Sequence, residues 1–285
     1  MKEGNLFNKM AFFRNNAFFC SMSNLKVTLI QSGLHWEDKA ANLSMLEEKI
    51  SGVKEPTHVV ILPEMFSTGF SMNPGQLAEN MEGNTIAWMK EISRKNKIIL
   101  TGSMIAEQDG NYYNRMVWML PNGQYGTYDK RHLFAFAGED NHYTSGSKRL
   151  IASVNGWKVH LLVCYDLRFP VWARQQFDES GNFEYDVLIY VANWPERRNT
   201  AWKSLLQARA IENQCYVIGV NRVGKDGNDI YYSGDSMVID PLGEIIYQKA
   251  HDEDVATLTL DRNHLENIRE KFPFWKDADQ FDIIP

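Results

Sequence analysis

Four polar or reactive side chains stand where runs of apolar residues end. Cys164 follows the run LLV, Glu64 follows Leu-Pro, Lys130 ends the segment GTYDK, and Asn193 ends DVLIYVAN. A thiol can act as a nucleophile, a carboxylate can take its proton, and an ammonium can stabilise the oxyanion that forms. If folding brings these groups together, they could perform acyl transfer through a cysteine.

Each of these residues also has an ordinary structural explanation. A cysteine in an apolar run is commonly a small buried hydrophobic residue. Glu64 could be a solvated strand end, and Lys130 could form a surface charge pair with Asp129. The shared position at strand ends favours a site, but the residues alone leave the catalytic and structural interpretations about equal.

Short apolar runs alternate with amphipathic segments from Leu25 onwards. The strands that we predict from these runs are 25–31, 58–63, 97–103, 158–165, 186–193 and 215–222. Helices are predicted at 41–50, 85–96 and 200–213, because apolar residues recur there at helical spacing. We expect Asn84 to cap the second helix. We expect the third helix to bury Trp202, Leu205, Leu206 and Ile211.

Two hairpins with a Pro-containing turn and a glycine are predicted at 115–130 and 236–248. This weak internal repeat indicates two similar halves packed against each other, and no Ser-, Gly- or Pro-rich linker divides them. Alternating strands and helices imply sheets covered by helices, whose ligands bind at the carboxyl ends of the strands. We therefore predict a single α/β domain with its site at those ends.

Composition excludes several classes of protein. The 285 residues are 44% hydrophobic and carry a formal charge of −6, so a nucleic-acid partner is not expected. No run approaches the ~18 apolar residues that a membrane span needs. The three cysteines (Cys20, Cys164 and Cys215) are too few for a disulfide scaffold, which favours a reducing cytoplasm.

Several segments resemble the nitrilase (carbon–nitrogen hydrolase) superfamily. Its three signature segments are similar to LPEMFSTGF (62–70), YDKRHLF (128–134) and CYDLRFP (164–170), and its Gly-Glu segment is similar to GEDNHYTSG (138–146). The segments VANWP (191–195), QARAIEN (207–213) and NRVG (221–224) also match in order and spacing. The resemblance extends from about Leu25 to about Pro273 and implies a four-layer α-β-β-α sandwich in one domain.

The resemblance also implies catalytic roles. Glu64 would be the general base, Cys164 the nucleophile, and Lys130 the cation that favours the thiolate and the oxyanion. The backbone N–H of Tyr165 would be a second oxyanion donor, and Glu139 would position Lys130, the substrate amide or the attacking water. No metal or other cofactor is needed, and the sequence has no HExxH motif or Cys/His cluster.

Within the superfamily, PEMFSTGFSM, CYDLRFPVW, YVANWP and NRVGKDGN are most similar to bacterial ω-amidases, which hydrolyse the side-chain amide of 2-oxoglutaramate and 2-oxosuccinamate. Such a substrate carries a carboxylate, so we expect Arg168 to bind it, with Arg197 and Arg198 as further candidates. Trp194 and Asn193 are predicted to contact the substrate. The expected partner is therefore a small-molecule amide.

Other interpretations remain open at this point. The same triad could serve a deaminated-glutathione amidase, an N-carbamoyl amino acid hydrolase or a true nitrilase. A Cys-His dyad with His132 or His142 is an alternative, and a catalytically silent binding scaffold is the alternative outside enzymes. We expect residues 1–23 to form a flexible extension, 24–262 the hydrolase domain, and 263–285 a C-terminal arm that could lie at the interface of a homodimer or higher homo-oligomer.

Overall fold

Two β-sheets lie face to face at the centre of the molecule. They are seen in a computed structural model that describes residues 23–178, 180–279 and 281–283. The predicted N-terminal extension therefore lies, except for Ser23, outside the described residues. Within the described residues, no helix combines the length and the apolar character that crossing a membrane requires.

Thirteen strands are present in the described part of the chain. They are β1 (Leu25–Gln31), β2 (Val59–Ile61), β3 (Ile99–Gln108), β4 (Asn111–Met119), β5 (Tyr125–Asp129), β6 (Ile151–Val154), β7 (Trp157–Val163), β8 (Val187–Ala192), β9 (Tyr216–Asn221), β10 (Val223–Lys225), β11 (Tyr231–Ile239), β12 (Ile245–Ala250) and β13 (Asp254–Leu260). The α-helices of the same residues are α1 (Lys39–Ser51), α2 (Pro74–Leu77), α3 (Asn84–Asn96), α4 (Pro170–Ala173), α5 (Asn199–Asn213) and α6 (Arg262–Lys271).

Apart from β13, each half of the chain builds one sheet. The first sheet has the order β13-β1-β2-β3-β4-β5, and the second has the order β10-β11-β9-β8-β7-β6, with β12 paired to β11. The central strands β1-β2-β3 and β7-β8-β9 run parallel, and the other pairs are antiparallel. Both predicted hairpins are confirmed as β4-β5 and β11-β12, and β13 returns from the second half to pair with β1.

The alternation of side chains along the strands explains the layers. In β1, Val27 and Leu29 join the core that the two sheets share, whereas Ile30 packs with residues of α1 and α3 on the outer face. On the other side of the molecule, Trp202 and Leu206 of α5 pack against the second sheet. The two sheets are therefore covered on their outer faces by helices, and the predicted single-domain α-β-β-α sandwich is confirmed.

Two local predictions are wrong. Asn84 does not cap α3 but is its first residue, because the carboxylate of Glu79 accepts the Thr85 N–H at 2.8 Å and its hydroxyl at 3.0 Å. In α5, Ile211 is not buried but 52% exposed, and Leu205 of the same predicted set is only half-buried. Ile211 lies on the solvent side of α5 beside Gly243 of the second hairpin's turn, a position that helical spacing alone does not separate from the buried face.

The described part of the predicted C-terminal arm packs on its own chain. Leu265 and Ile268 of α6 are buried, and the Arg269 guanidinium lies 2.8 Å from the carboxylate of Asp186. Farther along, the Trp275 ring lies 5.4 Å from that of Phe177. A contact between this arm and a second subunit stays a prediction.

Candidate active site

The three residues of the predicted triad come from the ends of strands in both sheets. Glu64 follows β2 and Lys130 follows β5 in the first sheet, whereas Cys164 follows β7 in the second. The Lys130 Nζ lies 3.0 Å from Glu64 Oε1, and both side chains are fully buried. Lys130 and Cys164 line the same cavity. Folding therefore brings the ammonium, the carboxylate and the thiol to one place.

The surface pairing of Lys130 with Asp129 does not occur. Asp129 forms a two-point ion pair with Arg115 on the neighbouring strand, with distances of 2.6 and 2.9 Å. Lys130 points the other way because side chains alternate along an extended chain. Its N–H continues the β4-β5 pairing by donating to the Asn114 carbonyl at 3.0 Å.

Glu139 is the second acidic partner of Lys130. It opens a short 3-10 turn (Glu139–Asn141), and its carboxylate oxygens lie 3.0 and 2.8 Å from Lys130 Nζ. Its Oε2 also accepts the Phe134 N–H at 2.6 Å. The ammonium therefore lies between two buried carboxylates, which leaves the three groups with one net negative charge when all are ionised.

Burial and charge act in opposite directions on this cluster. Burial lowers the pKa of the Lys130 ammonium, but the charges of Glu139 and Glu64 more than offset burial and raise that pKa overall. Burial raises the pKa of Glu139, and the nearby Glu64 raises it further, while Lys130 lowers it. Lys130 is consequently a permanent cation at physiological pH.

Cys164 directly follows β7 and is the first residue of a 3-10 turn (Cys164–Arg168). Its φ is +44°, in the left-handed region that residues other than glycine seldom adopt. This geometry places a reactive side chain at the top of a strand, as in the nucleophile elbow of other hydrolases. Burial raises the pKa of the thiol, Glu64 raises it as well, and Lys130 lowers it. The thiol therefore needs a base before it can attack.

Asp166 holds this turn from beneath, a role that sequence analysis missed. Its Oδ2 accepts the Val163 N–H at 3.0 Å and the Tyr128 hydroxyl at 2.7 Å. Its Oδ1 accepts the His132 N–H at 3.0 Å and contacts the ring Nδ1 at 2.8 Å. The only sequence signal was an acidic residue two positions after the cysteine in an apolar setting.

The arrangement does not favour the Cys-His alternative. The His132 ring is engaged by Asp166 and stacks on Phe169 at 3.9 Å between centroids. Neither His132 nor the exposed His142 lines the cavity that contains Cys164. Among the carboxylates, that of Glu64 has the largest effect on the pKa of the Cys164 thiol and raises it.

Two asparagines hold Glu64 in place. The Asn193 N–H donates to Glu64 Oε2 at 2.8 Å, and Asn193 Nδ2 donates to the Glu64 carbonyl at 2.7 Å. On the other side, Asn114 Nδ2 donates to Glu64 Oε1 at 2.7 Å. Sequence analysis placed Asn193 at the site as a substrate contact, and it does line the cavity, but Asn114 was not singled out.

The cavity has a volume of about 640 Å³, enough for a small acyl amide. Tyr165, Arg168, Trp194 and Asn193 all lie on its wall, as the sequence predicted for the site. The Arg168 guanidinium lies over the Trp194 ring at 5.1 Å. Tyr165 is half-buried against Phe134, immediately after Cys164, where its N–H is next to the nucleophile.

Arg197 and Arg198 line the cavity together with Arg168. The Arg198 guanidinium lies over the Phe134 ring at 5.0 Å, and burial and then the charge of Arg197 lower its pKa. None of these three guanidinium groups forms an ion pair with a carboxylate in the described part of the chain. The cavity therefore has one side with three guanidinium groups that form no ion pair among the described residues, although Glu37 and Asp226 also line it.

Comparison with known proteins gives the family. A family model described as carbon-nitrogen hydrolase matches residues 26–270. Omega-amidase YafV of Escherichia coli (strain K12) is 43% identical over 263 residues, which is 92% of this chain and 100% of that protein. The 2-oxoglutaramate amidase of Bacillus subtilis (strain 168) is 31% identical over 254 residues, or 88% of this chain and 96% of that protein.

A solved structure agrees with these relatives. A CN-hydrolase superfamily protein of Xanthomonas campestris, with an arsenic adduct in its active site, is 41% identical and superposes with a TM-score of 0.90 over 92% of this chain and 100% of that one. Fold and relatives together define a hydrolase that acts on carbon–nitrogen bonds other than peptide bonds. The chain belongs to the carbon–nitrogen hydrolase family of the nitrilase superfamily, which confirms the resemblance in the sequence.

Proposed function

We propose that this protein is an ω-amidase. It hydrolyses the terminal amide of 2-oxoglutaramate or 2-oxosuccinamate to the 2-oxo diacid and ammonia through a thioester on Cys164. The observation that carries the proposal is the Cys164 thiol at the cavity wall, beside a buried Lys130 that is ion-paired to Glu64 and Glu139. The similarity to enzymes called omega-amidase and 2-oxoglutaramate amidase supports the choice of substrate.

The first half-reaction forms the thioester. Glu64 takes the proton of the Cys164 thiol, which burial otherwise keeps protonated, and the thiolate attacks the amide carbon. The oxyanion that forms is stabilised by the Lys130 ammonium and by the Tyr165 N–H. Glu64 then gives its proton to the amide nitrogen, the C–N bond breaks, and ammonia leaves.

The second half-reaction returns the enzyme to its starting state. Glu64 takes a proton from a water molecule, and the hydroxide attacks the thioester carbon. The C–S bond breaks, the acid leaves, and the Cys164 sulfur recovers its proton from Glu64. Glu139 keeps Lys130 in position throughout, because both of its oxygens contact the ammonium.

The side of the cavity with the three guanidinium groups would bind the carboxylate at the other end of the substrate. Arg168 is the first candidate, and Arg198 stands on the same wall without a carboxylate partner among the described residues. A guanidinium can bind a carboxylate through two parallel hydrogen bonds. Trp194 and Asn193 would complete the wall around the carbon chain. We further propose that the protein is cytoplasmic and that it forms a homodimer or a higher homo-oligomer, as the family resemblance implies.

A substrate panel tests the proposal. Release of ammonia is measured from 2-oxoglutaramate, deaminated glutathione, N-carbamoyl-β-alanine and an aliphatic nitrile, and we expect the first to have the highest kcat/KM. Cys164→Ala should abolish ammonia release, and intact-mass measurement should detect acylated wild-type enzyme. Cys215→Ala is the matched control, because Cys215 is also buried but does not line the cavity.

Three results would overturn the proposal. Ammonia release that survives in Cys164→Ala would exclude the cysteine mechanism. If the enzyme hydrolyses another member of the panel but not 2-oxoglutaramate, the cysteine mechanism stands but the protein is not an ω-amidase. The hydrolysed substrate then identifies it as a deaminated-glutathione amidase, an N-carbamoyl amino acid hydrolase or a nitrilase. A folded wild-type protein with no activity on any member of the panel would favour the binding scaffold.

A further inference from the structure

Asn114 connects the two carboxylates of the cluster. It lies in the middle of β4, is fully buried, and donates from Nδ2 to Glu64 Oε1 at 2.7 Å and to Glu139 Oε1 at 3.2 Å. Lys130 Nζ lies 3.0 Å from each of the same two oxygens. An ammonium and a neutral amide therefore bridge one pair of carboxylate oxygens from two sides.

The orientation of this carboxamide follows from its neighbours. Both groups that face Nδ2 are carboxylate oxygens, which accept hydrogen bonds when ionised, so the N–H₂ end must face them. The other end, Asn114 Oδ1, is buried and has no hydrogen-bond partner within the described residues. The carboxamide oxygen is therefore left without a hydrogen bond, while the N–H₂ group donates to both carboxylates.

The acidic pair needs such a donor. When ionised, the two carboxylates and the ammonium together carry one net negative charge. All three side chains are 0–1% exposed, so little solvent screens that charge. We propose that Asn114 is a positioning residue for the reaction: its amide keeps Glu64 and Glu139 ionised around Lys130, with Glu64 held ready to accept the proton of Cys164. This inference builds on the proposed function, whose reaction supplies the assay.

The titratable and charged groups around Asn114 fix the direction of the expected pH effect. They are Glu64, Glu139, Lys130 and Cys164, together with Tyr143, whose pKa is raised by burial and then by Glu139. Hydrogen bonds from an amide favour the ionised form of a carboxyl group. Loss of the amide therefore makes the acidic pair hold a proton to higher pH, which removes the base from the cycle.

The test replaces the carboxamide by an apolar group of similar size. We expect Asn114→Leu to lower kcat roughly 10- to 100-fold, which corresponds to the loss of a hydrogen bond to a charged group. The acid limb of the kcat/KM profile for 2-oxoglutaramate should move to higher pH. KM should stay nearly unchanged, because Asn114 does not line the cavity.

Asn213→Leu is the matched control. Asn213 is also buried, but its carboxamide is hydrogen-bonded to Arg209 and Gln175, neither of which is hydrogen-bonded to Glu64 or Glu139. If Asn114 has only a structural role, both variants lose stability alike and the pH profile of each keeps its position. That result, or a kcat/KM profile of Asn114→Leu that matches wild type, would overturn the proposal.

A second measurement does not depend on the substrate. The rate at which iodoacetamide alkylates Cys164, located by peptide mass, is followed against pH for wild type, Asn114→Leu and the smaller variant Asn114→Ala. Burial and then the charges of Glu64 and Glu139 raise the pKa of the thiol, so a proton on the acidic pair lowers it. We therefore expect both variants to react faster than wild type near neutral pH, with the pH dependence displaced downwards. An unchanged dependence in both would contradict the proposal, whereas a wild-type enzyme inactive on 2-oxoglutaramate would contradict the proposed function alone.

Discussion

A single ammonium holds together the charged groups at the centre of the molecule. Lys130 contacts Glu64 and Glu139 at 2.8–3.0 Å, and none of the three side chains reaches solvent. Removal of one partner from a buried ionic cluster leaves the others without compensation, which costs more than the loss of a surface pair. Lys130 should therefore serve stability as well as catalysis.

We expect Lys130→Met to destabilise the fold by about 3–5 kcal/mol and to abolish activity. The loss should be smaller at acid pH. Without the ammonium, the pKa of Glu139, already raised by burial, rises further above its unfolded value. A carboxyl group of this kind binds more protons when folded, so its contribution to stability is lost as pH rises.

Urea unfolding at several pH values measures this effect. Lys225→Met is the control, because its pair with Asp229 is exposed and should contribute less than ~1 kcal/mol. The prediction would be contradicted if Lys130→Met lost no more unfolding free energy than Lys225→Met. It would also be contradicted if the loss for Lys130→Met became larger towards acid pH.

The carboxylate-binding role of Arg168 is also tested at one residue. We expect Arg168→Ala to raise KM for 2-oxoglutaramate about tenfold, since a charge-assisted contact is lost, and to leave KM for an uncharged amide of similar length nearly unchanged. Arg94→Ala provides a matched control, as Arg94 is exposed on α3 and does not line the cavity. An equal effect on both substrates would reject the role.

Residues at strand ends could be predicted from the sequence, but residues within strands could not. Glu64, Lys130 and Cys164 follow recognisable apolar runs, so the shared edge of the strands brings them near each other. Asn114 stands inside the run NYYNRMVWM, where only the pairing of Asn114 with Ile105 on β3 decides what its side chain faces. That register is a property of the assembled sheet and has no local signal.

At the level of elements, the start of α3 shows how a distant side chain replaces a local cap. Gly83 precedes the helix and has no side chain, so the N–H of Thr85 is satisfied by Glu79 from the preceding segment. The same carboxylate lies 3.0 Å from Lys39 Nζ at the start of α1. Glu79 therefore joins the two helices that cover the first sheet.

We expect Glu79→Ala to destabilise the fold by about 1–2 kcal/mol, because the first turn of α3 loses its acceptor. Asn84→Ala should change stability by less than ~0.5 kcal/mol, since Asn84 makes no cap and alanine favours a helix. Urea unfolding of the two variants gives the comparison. A larger loss of stability for Asn84→Ala than for Glu79→Ala would instead indicate that Asn84 caps the helix, as its sequence position suggested.

The elements that the sequence did not predict are those with weak apolar patterns. The buried central strands β1, β7, β8 and β9 were predicted within one or two residues, because apolar runs of that length fit buried strands. β13, by contrast, is DVATLTL, with mostly half-buried residues at the edge of the first sheet. Such a strand forms because β1 has an unpaired edge in the folded sheet. That edge exists only in the tertiary structure, so the local sequence of β13 does not indicate it.

At the level of the whole molecule, the site belongs to neither sheet alone. Glu64 and Lys130 come from the first sheet, and Cys164 and Asn193 from the second. The hydrogen bonds from Asn193 to Glu64 cross from one sheet to the other. The reacting groups are therefore assembled only when the two sheets are packed together.

We expect activity and structure to be lost together in urea. Ammonia release, far-UV circular dichroism and tryptophan fluorescence, to which Trp118 and Trp157 contribute from the two sheets, should share one midpoint, because both sheets contribute to one core. Loss of activity at clearly lower urea, with both spectroscopic signals intact, would show that the sheets separate at the site before they unfold.

The pairing of β13 with β1 has a consequence for biosynthesis. Thr28 and Thr257 face each other across this pair and are 229 residues apart in the chain. While the ribosome elongates the polypeptide, one margin of β1 lacks its hydrogen-bonding neighbour until this late segment has been translated. An open strand margin invites pairing with other chains, so the nascent protein depends on protection, by chaperones or by rapid collapse, until β13 arrives.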